Sequence, residues 1–428
     1  MVREQDRANS CRGNETMMPV ADPWVPLLEG DDARRAEQIL ELVAVDLSER
    51  FTRLCRESDN AMLAGGMIGL ALLAAYLRRW DASLVPEETL VGFLKHAVDI
   101  RDEREHSSSF YFGSVGLAWT VEHLRSDLDG LVDESLCDEV DHLFATGLSN
   151  RDWRFRFELF RGLTGFAAYL FERQKSTNVE GAISDLLKAL LDAAEEPSSG
   201  LLTWHTDARR FPNPTDISDR RSYFNLGVPH GVPAAFWTLA HGACAHPHLV
   251  TQCDSTVRWL LAQRGSEQFP SFGMVAGQQP HPTWLRPAWC YGDLGIAGLL
   301  AGCGVLLGRG DWLEVSSQLG EGVANLCRQN APSAEGSICH GSAGNGLIFS
   351  RLAAATGKAS FRQESLYWYR RLMASWDTTV PAMDGLRFSS SRPGQKRGFL
   401  RGTGGSALAL LSAVAPIIPD WDRALLLS

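Results

Sequence analysis

The chain has 428 residues, 45% of them hydrophobic and 21% charged, with a formal net charge of −10. That length and apolar content predict a sizeable folded core, and the acidic balance, without any basic cluster, excludes a nucleic-acid-binding protein. No uninterrupted apolar run reaches about 18 residues, so no membrane span is expected, and nine scattered cysteines fit reduced thiols or metal ligands better than a disulfide framework.

The first 20 residues, MVREQDRANSCRGNETMMPV, are polar and lack the apolar centre of a signal peptide. Residues 1–25 are expected to form a flexible tail, and residues 26–428 a single domain working in the cytoplasm. Beyond the tail the sequence repeats itself. A short G-x-x-G turn recurs, each time opening an apolar run: GMIGLALLAAYL at Gly66, GSVGLAWTVEHL at Gly113, GLTGFAAYLFER at Gly162. GVPAAFWTLAHG follows at Gly231, with Ala234 in the second glycine's place, then GDLGIAGLLAGC at Gly292, GSAGNGLIFSRL at Gly341 and GTGGSALALLSA at Gly402. The seven turns lie 47, 49, 69, 61, 49 and 61 residues apart, room for one more helix each. Those helices read as Arg34–Cys55, Glu88–Glu103, Leu136–Leu148, Gly181–Glu195, His248–Arg264, Trp312–Arg328 and Phe361–Trp376, mostly with apolar residues three and four apart.

The runs after the glycines are apolar on nearly every side and rich in small residues. A helix apolar all round is buried, whereas an amphipathic one covers a surface. Seven buried and seven covering helices predict an all-α, α/α toroid of two concentric rings. An open solenoid could be built from the same pairs, but the inner helices have little polar surface to give to solvent. The glycines are expected to let the chain turn sharply, leaving the first amides of each inner helix pointing into one end of the toroid.

Symmetry then locates a site. The residues immediately before the turn glycines are Gly65, Phe112, Arg161, His230, Tyr291, His340 and Arg401, which should ring one end. One position earlier stand Ala64, Tyr111, Phe160, Pro229, Cys290, Cys339 and Leu400. Cysteine thus fills equivalent places in two adjacent repeats, with His340 beside the second. Two thiols and an imidazole are a set that one zinc ion accepts, with a fourth position left open for substrate. Buried core thiols or a disulfide are the alternatives, and the coincidence of slots favours zinc over both. Trp284 and Trp289 stand nearby as groove or core residues.

At this point the blocks RPAWCYGDLGIAGLL and SICHGSAGNGLIF, with LGVPHGVPAAFWTLA and FELFRGLTGFAAYL, resemble the signatures of the lanthipeptide cyclases of the LanC family. The resemblance implies addition of a precursor-peptide cysteine thiol to a dehydroalanine or dehydrobutyrine of the same peptide, forming a thioether ring. It implies Cys290, Cys339 and His340 as ligands of Zn2+. It also implies His230 as proton donor or acceptor, Arg286 as a fixed charge for an enolate oxygen, and Tyr291 as a hydrogen-bond donor. Where the family usually has an aspartate, this chain has Glu158, which could still orient His230. The implied partners are a dehydrated precursor peptide with its leader, a dehydratase and an exporter. Glutathione addition to dehydroamino acids, by a relative of these cyclases, and a non-catalytic zinc-stabilised peptide scaffold are the competing functions. The polar stretches Trp204–Asn225, Phe269–Ala276 and Ser389–Gly398 read as insertions, the first placed to touch the peptide. A small β-containing extension beside the toroid is compatible with them.

Overall fold

The run Met67–Leu77 is buried at every residue, which only a helix surrounded by other helices can achieve. It forms α3 (Met67–Trp80), and six more helices follow the other glycine turns: α5 (Ser114–His123), α8 (Leu163–Arg173), α10 (Val232–Gly242), α12 (Asp293–Leu307), α14 (Ser342–Thr356) and α16 (Thr403–Val414). The computed structural model describes residues 24–58, 60–102, 108–128, 130–131, 135–148, 156–208, 222–265, 271–278, 287–330, 335–386 and 396–428. Each of these seven helices packs on the next, and α16 packs back on α3, so the ring closes.

An outer layer covers it: α1 (Gly30–Glu49), α2 (Phe51–Glu57), α4 (Glu87–Asp102), α7 (Ser135–Leu148), α9 (Glu180–Asp192), α11 (Val250–Leu261), α13 (Gly310–Asn330) and α15 (Ala359–Ala374). A single turn, α6 (Arg125–Leu128), follows α5. The outer helices are one-sided, as the pattern predicts. In α9, Ile183, Leu186, Leu187 and Leu190 are buried, at the i, i+3, i+4, i+7 spacing of one helical face. Each outer helix from α4 onward packs on the inner helix just before it in the chain, while α1 covers the last inner helix, α16, and α2 packs against α1 and α4. The N-terminal end of the domain therefore completes the final repeat.

The structure revises the role of the glycines. Six of the seven turn glycines are in extended backbone, and only Gly292, at φ 95°, occupies the region closed to other residues. What the others meet is lack of space. A Cβ on Gly66 would lie 2.0 Å from the Asn60 carbonyl oxygen, and one on Gly231 2.1 Å from that of Asn225; the second glycines are as crowded, with 1.9 Å from Gly344 to the Ile338 carbonyl. The first helical amides do not point freely into the toroid end either. Met67, Leu163, Val232, Ser342 and Thr403 donate to the carbonyls of Asn60, Arg156, Asn225, Glu335 and Lys396, in the loops that precede them.

Those loops are tied to one another. Ala64 donates its amide to Tyr111, Phe110 to Phe160, Leu159 to Pro229, Val228 to Cys290, Trp289 to Cys339, Cys339 to Leu400, and Leu400 back to Ala64, at 2.9–3.1 Å. Seven main-chain hydrogen bonds thus form a hoop around the end where the inner helices begin. The hollow is filled from the other side by the C-terminal segment. Ala424 to Leu427 are buried; Tyr111 Oη and Trp289 Nε1 donate to the carbonyls of Ala424 and Leu425, and Leu427 lies against Gly298 and Gly302. Asp422, with no exposed surface, holds Arg351 of α14 at 2.6 and 2.9 Å.

The β extension lies between α9 and α10. β1 (Glu195–Ser198) pairs with β2 (Leu201–Thr203), and β3 (Thr206–Asp207) with β4 (Ser222–Tyr223), all antiparallel. The insertion after α11 runs alongside: Leu226 donates to Met274 and Ala276 to Phe224. No helix among the described residues is long and apolar enough to cross a membrane. Most of the expected tail, residues 1–23, lies outside the described residues.

Candidate metal centre

Cys290 and Cys339 end the loops that deliver the chain to α12 and α14, and the hoop holds both: Cys290 O accepts from Val228, Cys339 O from Trp289. Their thiols and an imidazole nitrogen of His340 all lie within 4.8 Å of one another. This is the one such cluster of three metal-ligand side chains among the described residues. All eight described cysteines are free thiols, so the disulfide alternative does not arise here. The two sulfurs share a proton unequally. Cys290 accepts a hydrogen bond from the Cys339 thiol and lies beside His340, which together hold it well below the usual thiol range. Cys339 is pushed up by giving that bond and by burial. His340 is raised to about 9 by Cys290 and then by Glu335, whose carboxylate is 2.8 Å from Nε2. A thiolate stabilised by its neighbours, a second thiol and an imidazole, all half-buried, form a donor set suited to a thiophilic divalent ion.

His230 sits on the same rim, close enough for its charge to help lower Cys290. Glu158, 2% exposed, brings Oε2 to 3.1 Å from His230 Nδ1. The same carboxylate accepts the amides of Phe160 at 3.0 Å and Arg161 at 2.6 Å. The longer side chain in the aspartate's place therefore still reaches the imidazole. Phe160 packs against the ring at 4.3 Å between centroids. Nδ1 of His230 is thus committed to the carboxylate, which sets the orientation of the ring. Tyr291 Oη lies 3.2 Å from Asn225 Nδ2, and burial raises its hydroxyl above the ordinary range.

A model of the family described as lanthionine synthetase C-like protein matches residues 57–426. The chain belongs to that family. It is a lanthionine synthetase C-like cyclase, and so an enzyme. The nisin biosynthesis protein NisC of Lactococcus lactis subsp. lactis is 20% identical over 311 residues, 66% of this chain and 71% of that protein. The solved structure of nisin cyclase superposes with a TM-score of 0.67 at 18% identity, covering 92% of this chain and 97% of that one, which establishes the shared toroid.

Within this cyclase the expected residues fall in three groups. Cys290, Cys339 and His340 converge, as do His230 and Glu158, and Tyr291 is on the same rim. Arg286 and Trp284 lie outside the described residues, as do 209–221 of the polar loop and 389–395 of the basic stretch. Trp289 is fully buried with its indole N–H bonded to Leu425, so it is core and not groove wall. Sequence reasoning missed Asn225 and Tyr223, which link the β extension to Tyr291, and Glu335 beside His340. Their only signal was proximity in sequence to a rim turn.

Proposed function

We propose that this cyclase closes thioether rings in a dehydrated precursor peptide, with one zinc ion held by Cys290, Cys339 and His340. The reading is carried by a single juxtaposition: that donor set and the His230–Glu158 pair share one rim of one toroid. Zinc bound there would keep a substrate thiol deprotonated near neutral pH and orient it, where a free thiol with a pKa of about 8.5 is mostly protonated.

The remaining work belongs to side chains of the chain. The substrate sulfur forms its bond to the β-carbon of the dehydroamino acid, the alkene electrons move onto the adjoining carbonyl as an enolate, and a proton is delivered to the α-carbon. His230, oriented through Nδ1 by Glu158, presents Nε2 to accept the thiol proton and return it to carbon. Arg286 supplies a positive charge to the enolate oxygen, and Tyr291, steadied by Asn225, a hydroxyl on the same rim. The hoop and the Tyr111–Trp289 floor keep the site dry from below. The peptide enters from the open end, beside the β extension, in the cytoplasm, and is supplied by a dehydratase and passed to an exporter.

The test is incubation of a dehydrated, cysteine-containing precursor with the zinc-loaded enzyme, followed by thiol alkylation and mass spectrometry. Thiols that become protected at unchanged peptide mass report ring closure. A gain equal to glutathione would assign intermolecular addition instead, and thiols left alkylatable would reject both.

A further inference from the structure

One carboxylate on the rim has no part in the chemistry above. Glu335 lies five residues before His340, with 8% of its side chain exposed. Its Oε1 is 2.8 Å from His340 Nε2 and accepts Ser337 Oγ at 2.8 Å. Its main-chain carbonyl accepts the Ser342 amide that opens α14, at 2.7 Å. Gly341 leaves no room to move this loop: a Cβ there would lie 2.3 Å from the same carbonyl. Glu335 is therefore fixed at both backbone and side chain before any ligand arrives.

An imidazole has two nitrogens, and the one that faces a carboxylate carries the proton. Arg401 Nη2 also approaches Nε2, at 3.3 Å. A guanidinium only donates, so it cannot bond a nitrogen that is itself protonated, and the shorter carboxylate contact decides the tautomer. With Nε2 taken by Glu335, Nδ1 is the nitrogen left for a metal, giving up any proton of its own as the ion binds.

Resting on the zinc reading above, the geometry points to Glu335 as a positioning residue: it holds the proton on His340 Nε2 and commits Nδ1 to the metal. It also raises the basicity of the ligand nitrogen, the usual effect of a carboxylate behind a metal-bound histidine. The chain thus carries two carboxylate–imidazole pairs on one rim, Glu158 with the proton-transfer histidine and Glu335 with the ligand histidine.

The test compares the full-length wild type with Glu335→Gln, a substitution of nearly equal volume, by zinc competition against a chromophoric chelator. Circular dichroism checks that the variant is folded. We expect zinc to bind roughly 10- to 100-fold more weakly to the variant. On the zinc-loaded wild type labelled with 15N-histidine, long-range proton–nitrogen correlations, assigned with a His340→Gln sample, should show Nε2 protonated and Nδ1 metallated. That readout does not depend on any Glu335 variant folding. Zinc affinity within twofold of wild type in Glu335→Gln, or metallation through Nε2, would overturn the inference while leaving the zinc site standing. A wild type that binds no zinc would overturn both.

Discussion

Glu158 stands where the resemblance to the family implies an aspartate, and its geometry lets the cost of losing it be worked out. The carboxylate is 2% exposed and takes three N–H donors: Phe160 at 3.0 Å, Arg161 at 2.6 Å and His230 Nδ1 at 3.1 Å. A hydrogen bond to a charged group is worth about 1.5–3 kcal/mol, and a neutral one about half that. In Glu158→Gln one oxygen remains and the new amide N–H2 must oppose one of the donors. With the oxygen kept toward His230, orientation of the imidazole weakens by ~1 kcal/mol, which is a fall of about fivefold in cyclisation rate. Glu158→Ala removes the contact entirely, for a fall of about 10- to 150-fold, and it strands two main-chain amides at roughly 1–3 kcal/mol each in stability. The assay is the rate of thiol protection in the dehydrated precursor, measured for both variants in wild-type and His230→Ala backgrounds. Because Glu158 acts through His230, its effect should vanish once His230 is gone. Wild-type rates for Glu158→Ala, or an undiminished Glu158 effect in the His230→Ala background, would refute the reasoning.

Cys290→Ala and Cys339→Ala should each lose bound zinc and cyclisation, whereas His230→Ala should keep its zinc and cyclise at least tenfold more slowly; metal content by inductively coupled plasma mass spectrometry separates the cases. Glu172 of α8 loses solvation by burial, but His123, Arg423 and Lys175 outweigh this and hold its carboxyl down at about 2. Burial pushes the His123 imidazole down as well, so at neutral pH the two cations are the working partners. A carboxyl depressed from about 4.5 to 2 contributes stability that is present above pH 4.5 and lost as pH falls toward 2. That amounts to roughly 3 kcal/mol, and Glu172→Gln should flatten this part of the urea-unfolding profile against pH. Arg351→Met leaves Asp422 buried without its cation and should cost about 3–5 kcal/mol in denaturant unfolding, with Asp422→Asn in the same chain restoring part of it.

The seven inner helices were legible because two signals coincide in each: a glycine where the preceding carbonyl crowds the helix, and an apolar run with no polar face. Cys290 and Cys339 were legible because the repeat puts both in one slot, and equivalent slots on neighbouring helices are adjacent in space. What failed to show depends on contacts between distant parts of the chain. Nothing in Gly30–Glu49 says that this helix covers α16, since that pairing exists only once the ring has closed. The apolar run Ala424–Leu427 reads equally well as one more outer element, and its place inside the hollow is set by Trp289, Tyr111 and Arg351. Glu335 and Asn225 were hidden for another reason. A lone carboxylate or amide in a polar loop has no periodicity to betray it, and both act through one hydrogen bond to a side chain that the loop geometry delivers. The expectation of free helix amides failed because the same glycine that admits the close turn also brings the preceding carbonyls within reach of them.

The hoop gives these separate features a common cause. Each inner helix begins where its loop is hydrogen-bonded to the loops on either side, so a rim residue inherits its position from the whole ring and not from its own repeat. Cys339 is bonded through both its amide and its carbonyl, to Leu400 and to Trp289, and Cys290 through its carbonyl to Val228, two residues before His230. Moving either sulfur by an ångström would require breaking main-chain hydrogen bonds in neighbouring repeats. A metal site with this backing loses little entropy on loading, because its ligands do not have to be ordered by the ion. Outside the hoop, Tyr223 and Asn225 join the β extension and the insertion beside it to Tyr291 on the rim. The long insertions of this chain cluster next to His230 and Cys290, so they are anchored to the most firmly held part of the ring.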